Sequence, residues 1–126
     1  VNESVQTYGK YLPLKSMAMF GGVNINPQIK ALRSQVDILV ATPGRLLDHV
    51  GQKTLDLSAV EILVLDEADR MLDMGFIDDI ERIMAKTPEE KRILMFSATM
   101  PMGILLLAKK YMRDPEVVLV SRDELV

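Results

Sequence analysis

Residues 62–69 have the sequence Ile-Leu-Val-Leu-Asp-Glu-Ala-Asp, in which four apolar residues run directly into three carboxylates. A short all-aliphatic run is typical of a strand that is buried on both faces, as in a parallel sheet. Carboxylates at the carboxyl end of such a strand lie where open α/β sheets bind their ligands. The stretch therefore predicts a parallel α/β fold, with Asp66, Glu67 and Asp69 placed to hold a metal ion and its accompanying phosphates.

The rest of the chain shows the same alternation of strand and helix. Apolar, β-rich segments are separated by segments with helical periodicity. Alternation of this kind indicates βαβ units and a parallel β-sheet flanked by helices. The predicted strands are Leu14–Phe20, Asp37–Ala41, Glu61–Leu65, Arg92–Phe96 and Val117–Val120, and the predicted helices are Ile25–Arg33, Pro43–Val50, Phe76–Met84 and Pro101–Met112.

Composition limits the classes of function. A chain of 126 residues with 48% hydrophobic and 26% charged residues is long enough for one globular domain. It has no cysteine, which favours a cytoplasmic location. His49 is the only histidine, so a His-rich metal site or a Ser-His-Asp triad is disfavoured, and we expect this residue on a helix surface. No apolar stretch approaches the roughly 20 residues that cross a bilayer, so no membrane partner is expected. The net charge of −3 permits only a local basic patch for nucleic acid.

The three carboxylates have two interpretations. In the functional one, Asp66 holds Mg²⁺ through water, because this hard cation prefers oxygen ligands and keeps its waters. Glu67 then orients or deprotonates a water that attacks a phosphate. In the other, Asp66 is the N-cap of a helix with acidic residues in its first turn. These residues alone leave both interpretations open.

Polar or glycine-rich segments also follow other predicted strands. The hydroxyls of Ser97–Thr99 either bond the Asp69 carboxylate or cap the next helix. The segment Thr42–Arg45 either binds a phosphate at a helix N-terminus or forms a turn with a solvated arginine. Gly21 and Gly22 either allow close backbone approach or form a plain turn. All these segments lie at the same expected edge of the sheet, and this convergence favours a ligand site.

Together these segments resemble the motifs of the DEAD-box ATP-dependent RNA helicase family. The matching motifs are Asp66-Glu67-Ala68-Asp69, Ser97-Ala98-Thr99, Thr42-Pro43-Gly44-Arg45 and Gly21-Gly22, and they occur in the family's order and spacing. The resemblance covers essentially the whole chain. It implies that residues 1–126 are a partial helicase ATP-binding domain, the latter part of the first RecA-like (P-loop NTPase) domain.

The resemblance also implies roles for individual residues, with ATP and Mg²⁺ as cofactors. Asp66 would coordinate Mg²⁺ through water, and Glu67 would activate the hydrolytic water. Asp69 would bond Ser97 and Thr99 in the motif that couples ATP hydrolysis to RNA unwinding. RNA would be held through its backbone, so binding would be largely independent of base sequence. The implied RNA contacts are Gly21, Gly22, Thr42, Pro43, Gly44 and Arg45.

Several family elements are missing from the sequence. No Gly-x-x-x-x-Gly-Lys-Ser/Thr occurs in the 126 residues, although this loop supplies the amides, lysine and hydroxyl that cradle ATP phosphates and Mg²⁺. The family also has a Pro-Thr-Arg-Glu-Leu segment and a second RecA-like domain that are not found here. We therefore expect a helicase fragment that is inactive alone. The alternative is a non-enzymatic RNA-binding or protein-interaction fragment, and an unrelated Mg²⁺-dependent phosphohydrolase is disfavoured because it leaves the other motifs unexplained.

The missing phosphate-loop strand has a structural consequence. In RecA-like sheets it lies beside the strand that ends in Ser-Ala-Thr, here Arg92–Phe96. Without it that strand has an open edge and Val117–Val120 loses its partner, which is an aggregation or strand-exchange hazard. We expect the gap to be filled by missing helicase segments, by a second copy in a homodimer, or by a rearranged strand order.

Overall fold

The computed structural model describes residues 7, 14–19, 21, 24–32 and 36–120. Within these residues, strands and helices alternate, and most of the predicted elements form within a few residues of their predicted bounds. This confirms the α/β class with parallel strands flanked by helices. The elements are β1 (Ser16–Met19), α1 (Asn26–Leu32), β2 (Ile38–Ala41), α2 (Pro43–Gly51), β3 (Ile62–Leu65), α3 (Ala68–Asp73), α4 (Ile77–Lys86), β4 (Arg92–Met95) and α5 (Met102–Tyr111).

The strands pair two by two, and both pairs are parallel. β1 pairs with β2, with Ser16 opposite Ile38, and β3 pairs with β4, with Ile62 opposite Arg92. Helix α1 connects the first pair, while α3 and α4 connect the second, so each pair is a βαβ unit. Among the described residues, no backbone ladder joins one pair to the other. The parallel structure therefore consists of two open pieces.

Helix α4 holds the two pieces together through side-chain packing. Its Ile83 belongs to a buried cluster at the β1–β2 pair, whereas its Ile80 and Met84 belong to a buried cluster at the β3–β4 pair. Complete burial of an isoleucine contributes about 1.5–3 kcal/mol, and Ile80 is fully buried. The first cluster also contains Met19, Leu46 and Leu57, and the second also contains Leu65 and Leu107.

The described helices cover only one face of the β3–β4 pair. Leu65 is 4% exposed beneath them, but Ile62 and Val64 are 56% and 48% exposed. Leu94 of β4, opposite Val64, is 41% exposed on the same uncovered face. The prediction that Ile62–Leu65 is buried on both faces is therefore wrong. Successive side chains of a strand point to opposite faces, and no described element packs against the second face.

The predicted fifth strand does not form. Val117–Val120 has no regular structure, and its exposure ranges from 68% at Val117 to 88% at Val120. The strand prediction is wrong for this segment, because no described strand lies beside it to supply backbone hydrogen bonds. None of the helices in the described part of the chain is long and apolar enough to cross a membrane.

Candidate functional site

The carboxyl ends of β3 and β4 are joined by backbone hydrogen bonds that continue the ladder. The Phe96 N–H donates to the Leu65 carbonyl at 2.8 Å, and the Ala68 N–H donates to the Phe96 carbonyl at 2.9 Å. This second bond crosses from the start of α3 to the segment that follows β4. It therefore brings the predicted carboxylates beside the predicted hydroxyls.

Asp69 is hydrogen-bonded to both hydroxyl residues. The Thr99 hydroxyl donates to Asp69 Oδ2 at 2.9 Å, and the Thr99 N–H donates to the same oxygen at 3.1 Å. Ser97 Oγ accepts from the Asp69 N–H at 3.1 Å and donates to the Thr99 carbonyl at 2.6 Å. The link between the two strand tips is present, although Ser97 reaches the backbone of Asp69 rather than its carboxylate. Neither hydroxyl caps α5, whose N-cap is Pro101 and has no side-chain bond.

These bonds stabilise the ionised form of Asp69. The hydrogen bond from the Thr99 hydroxyl, with smaller contributions from the backbone N–H groups of Thr99 and Arg70, holds the pKa of Asp69 below its usual range. The carboxylate is therefore charged throughout the neutral range. A charged acceptor also makes the Thr99 bond stronger than a bond between neutral groups.

Asp66 and Glu67 are exposed at the end of β3. Asp66 Oδ1 accepts a hydrogen bond from the Glu67 N–H at 3.0 Å. The capping interpretation is wrong in its details, because the N-cap of α3 is Glu67 rather than Asp66, and the Glu67 side chain makes no capping hydrogen bond. Glu67 has φ 53° and ψ 48°, a left-handed conformation that a side chain disfavours. Strained backbone of this kind concentrates at functional sites, and Glu67 is the residue expected to activate water.

The donor set at the end of β3 fits Mg²⁺ bound mainly through water and phosphate. Mg²⁺ is usually held by one or two protein carboxylates, several waters and phosphate oxygens rather than by a complete protein cage. Asp66 offers an exposed carboxylate of this kind, and Glu67 lies next to it. In the part of the chain that the structure describes, no three acidic or histidine side chains converge on one point.

A second group of predicted residues lies at the end of β2. Thr42 is the exposed N-cap of α2, and its hydroxyl makes no capping bond. A Cβ atom added at Gly44 would meet no atom of the described residues within 4 Å, and the same is true at Gly21, so the described part of the surface is open at both glycines. Gly22 lies outside the described residues, while Pro43 is buried at the first position of the helix.

The solvated arginine of the alternative interpretation is not observed. The Arg45 side chain is only 11% exposed, and its guanidinium Nη1 donates to Gln28 Oε1 at 3.4 Å. His49, expected on a helix surface, is 0% exposed. Its Nε2 lies 3.0 Å from the same Gln28 oxygen, and its Nδ1 lies 2.9 Å from Thr54 Oγ1. A buried polar cluster therefore links α1, α2 and the loop that follows α2.

Sequence reasoning missed Gln28 and Thr54 and misplaced His49. A signal was present for His49, because it continues the three-residue spacing of the buried positions Pro43 and Leu46. Burial, and next the neighbouring Arg45 charge, lower the pKa of His49. The ring is therefore neutral at neutral pH, and its Nε2–H donates to Gln28, whose oxygen can only accept.

The structure brings the predicted residues together in two groups rather than one. Asp66, Glu67 and Asp69 meet Ser97 and Thr99, whereas Thr42, Gly44 and Arg45 lie with Gln28 at the start of α2. Among the described residues, no hydrogen bond or ion pair joins the two groups. The first group can bind a hydrated cation and polarise water, and the second offers an open helix N-terminus to an anion.

Comparisons with known proteins agree with this arrangement. The DEAD/DEAH box helicase family model matches residues 1–106. The chain is 47% identical over 124 residues to the DEAD-box ATP-dependent RNA helicase CshA of Bacillus cereus, covering 98% of this chain and 24% of that protein. It is 50% identical over 116 residues to the ATP-dependent RNA helicase DeaD of Mycobacterium tuberculosis, covering 91% of this chain and 21% of that protein.

A solved structure is similar in both fold and sequence. The crystal structure of a hypothetical ATP-dependent RNA helicase from Sulfolobus tokodaii aligns with a TM-score of 0.84 and 42% identity, covering 90% of this chain and 34% of that one. This similarity confirms the partial RecA-like fold. The chain spans about a quarter of the length of the curated relatives that it matches, such as 24% of the Bacillus cereus protein.

Proposed function

Because the chain belongs to the DEAD/DEAH box helicase family, we propose that it contributes half of the hydrolytic site, and part of the RNA contact, of an enzyme that couples ATP hydrolysis to RNA duplex unwinding. One observation carries this proposal. The Asp69 carboxylate accepts two hydrogen bonds from Thr99, which ties the carboxylate motif after β3 to the hydroxyl motif after β4. The names of the relatives, which are ATP-dependent RNA helicases, support the same activity.

In the proposed hydrolytic step, the two carboxylates after β3 have separate roles. Bound with ATP, Mg²⁺ would neutralise charge that develops on the phosphates. Asp66 would hold the hydrated ion through its exposed carboxylate. Glu67 would accept a proton from the attacking water. Its Oε2 lies 3.5 Å from Arg70 Nη1, and this ion pair restricts where the carboxylate can lie.

The residues around Asp69 are proposed to couple hydrolysis to RNA movement. Ser97 and Thr99 contact Asp69 through hydrogen bonds of 3.1 and 2.9 Å, and both precede α5 in the chain. Hydrolysis at the ATP phosphates would alter the contacts of Asp66 and Glu67, which lie three or fewer residues from Asp69. The network is the physical connection through which such a change would reach β4 and α5.

The RNA contact is proposed at the start of α2 and the end of β1. The backbone amides of a helix N-terminus favour a phosphate, and the surface at Gly21 and Gly44 is open enough for a nucleic-acid backbone to approach. Phosphate contacts read no bases, so we expect sequence-independent binding. The proposed contact residues are Gly21, Gly22, Thr42, Pro43, Gly44 and Arg45.

We propose that the 126-residue chain by itself does not turn over ATP, because its sequence has no phosphate-binding loop. The test is a steady-state ATPase assay on the chain with and without single-stranded RNA, using Glu67→Gln as the matched variant. We expect rates at background for both proteins. RNA-stimulated hydrolysis that disappears in Glu67→Gln would contradict this proposal while supporting the role of Glu67.

RNA binding is tested separately, with a fluorescent oligouridylate at low salt. Thr42→Ala and Arg45→Ala should weaken binding, and the slope of log affinity against log salt should fall by about 0.7 for each RNA phosphate that the variant no longer neutralises. Arg113→Ala removes an exposed arginine beyond α5 and is the matched control. Equal affinities for all three variants and the unaltered chain would overturn the proposed RNA contact.

A non-enzymatic role in RNA binding or protein interaction is the second candidate. The uncovered apolar face of the β3–β4 pair, which contains Ile62, Val64 and Leu94, favours it because exposed aliphatic side chains gain stability when a partner covers them. RNA affinity without any ATPase activity in a longer protein that carries the remaining helicase segments would support this candidate over the enzyme.

We further propose that the uncovered face is completed by helicase segments like those that the relatives have beyond the aligned region. The chain covers only 34% of the Sulfolobus tokodaii protein, so that protein has further segments available for such packing. Light scattering over a concentration series tests this. We expect the chain alone to self-associate. A discrete dimer would instead indicate that a second copy covers the face, and a stable monomer at every concentration would refute the proposal.

We also propose a cytoplasmic location, because the sequence has no cysteine.

A further inference from the structure

The two halves of the proposed coupling network lie at the starts of α3 and α5. Asp69 is in the first turn of α3, and Thr99 lies three residues before α5 begins at Met102. The Thr99 N–H and hydroxyl donate to Asp69 Oδ2 at 3.1 and 2.9 Å. Hydrogen bonds form only over a narrow range of distance and angle, so both bonds require α3 to keep a fixed position beside α5.

A second contact joins the two helices one turn further along. Leu72 follows Asp69 by three residues, and residues at this spacing lie on the same face of a helix. Gly103 is the second residue of α5. A Cβ atom added at Gly103 would lie 3.0 Å from both Cδ1 and Cδ2 of Leu72 and 3.6 Å from its Cγ. The Leu72 methyl groups therefore occupy the space that a side chain at position 103 would need, which gives a packing reason for a glycine where alanine favours the helix more.

The two helices are not anchored equally. In α5, Ile104 and Leu107 are buried, and Leu107 packs with Leu65 and Ile80 in the cluster at the β3–β4 pair. In contrast, α3 has six residues, of which only Ala68 is buried. Moving α5 would disturb a closely packed interior, which is costly. We therefore expect α3, which carries Asp69, to be the helix that moves when the space between the two is lost.

We propose that Gly103 is a positioning residue for the coupling network. By leaving room for Leu72, it lets α3 lie close enough to α5 for Asp69 to accept the bonds from Thr99. This inference rests on the proposed coupling role of the Asp69 network. Gly103 itself does not touch ATP, Mg²⁺ or RNA. It acts through Leu72, so an apolar contact between the two helices determines whether the polar link at their starts can form.

The test compares Gly103→Ala with Gly51→Ala, which adds the same carbon at the end of α2, where it would meet no described atom within 4 Å. Exchange of the Thr99 N–H with solvent is followed by NMR, without ATP or RNA. Weakening of one hydrogen bond should make this exchange about three- to tenfold faster in Gly103→Ala. We expect no change in Gly51→Ala. An unchanged Thr99 rate in Gly103→Ala would show that Leu72 rotates aside without moving α3, and would overturn the positioning role.

A compensating substitution distinguishes positioning from a general loss of stability. Leu72→Val removes both Cδ atoms that the added carbon would meet, so in Gly103→Ala/Leu72→Val the Thr99 rate should return to within about twofold of the unaltered chain. The Phe96 N–H, which donates to the Leu65 carbonyl beyond the ladder of β3 and β4, reports on the rest of the fold and should exchange at the same rate in all variants. Equal acceleration at Phe96 and Thr99, or no recovery in the double variant, would refute the inference.

A second measurement separates this inference from the proposed function. Thr99→Val is assayed for duplex unwinding per ATP hydrolysed, in a longer protein that carries the remaining helicase segments. If Thr99→Val leaves this ratio unchanged, the proposed coupling role fails, and the role of Gly103 in coupling fails with it. If Thr99→Val lowers the ratio but Gly103→Ala leaves the Thr99 exchange rate unchanged, the coupling role stands and only the positioning role is wrong.

Discussion

Two polar clusters connect distant parts of this chain, and they differ in exposure. The Asp69–Ser97–Thr99 cluster lies at the solvent-facing ends of β3 and β4, whereas the Gln28–Arg45–His49 cluster lies between helices and is largely buried. Bonds at an exposed site exchange readily with water, while buried bonds are costly to break. The first cluster is therefore suited to respond to a ligand, and the second to hold a fixed shape.

The two clusters also differ in backbone strain. In the exposed cluster, Asp69 lies two residues after Glu67, which has a left-handed backbone, and none of the three side chains of the cluster is buried. The buried cluster has no residue with positive φ. Changes to the buried cluster should therefore cost mainly stability, and changes to the exposed one should alter backbone strain and protonation.

The largest effect is expected for His49→Ala. It removes a fully buried ring and leaves the Gln28 amide without one of its donors, so the free energy of unfolding should fall by about 2–4 kcal/mol. Urea denaturation measures this. Gln52→Ala, at an exposed residue directly after the same helix, is the control and should change stability by less than about 0.5 kcal/mol. Similar losses of stability for the two variants would show that the buried His49 cluster does not stabilise the fold as described.

A smaller effect is expected at Glu67, where Gly and Ala variants isolate the backbone. Glu67→Gly should be more stable than Glu67→Ala by about 0.5–1 kcal/mol, because glycine adopts positive φ without steric cost. At Asp66, which has no positive φ, the order should reverse. The comparison requires only denaturation curves for the four variants. If alanine is favoured at both positions, the strain assigned to Glu67 is absent in solution.

The smallest effect concerns the protonation of Asp69. Thr99→Val removes the main cause of its lowered pKa, so the pKa should rise toward its usual range. The Asp69 link stabilises the fold above the unfolded pKa and is lost as pH falls through the folded pKa, so in Thr99→Val the loss should begin at a higher pH. Carboxyl NMR titration measures this.

Asp56 provides an internal control in the same titration. Its pKa is also lowered, but through bonds from Ser58, so it should not respond to Thr99→Val. A response at Asp56, or none at Asp69, would show that the Thr99 hydroxyl does not set the Asp69 pKa.

Much of the fold and of the exposed cluster could be predicted from local patterns. The aliphatic runs at Ile62–Leu65 and Arg92–Met95 form strands because their residues favour extended backbone. Parallel strands bring their carboxyl ends to one edge, which is why Asp69 meets Thr99. The buried cluster could not be predicted in this way. Its members, Gln28 and His49, are 21 positions apart and meet only because α1 packs beside α2.

The prediction that the Ile62–Leu65 strand is buried on both faces was also wrong, and the reason again lies in tertiary packing. An apolar run indicates that both faces can be buried, not that both are. Ile62 and Val64 are exposed because no described element packs over them. Val117–Val120 has strand-forming residues but no neighbour among the described residues to supply hydrogen bonds, so propensity alone does not make it a strand.

The sequence by itself determined the α/β class, the family and the positions of the candidate residues, because these depend on residue type and spacing along the chain. The tertiary structure decided which residues are neighbours and which faces are covered. It divided the strands into two pairs, placed His49 in the interior and turned Arg45 toward Gln28. These outcomes depend on how helices pack across the strands, and packing brings together residues that no local pattern relates.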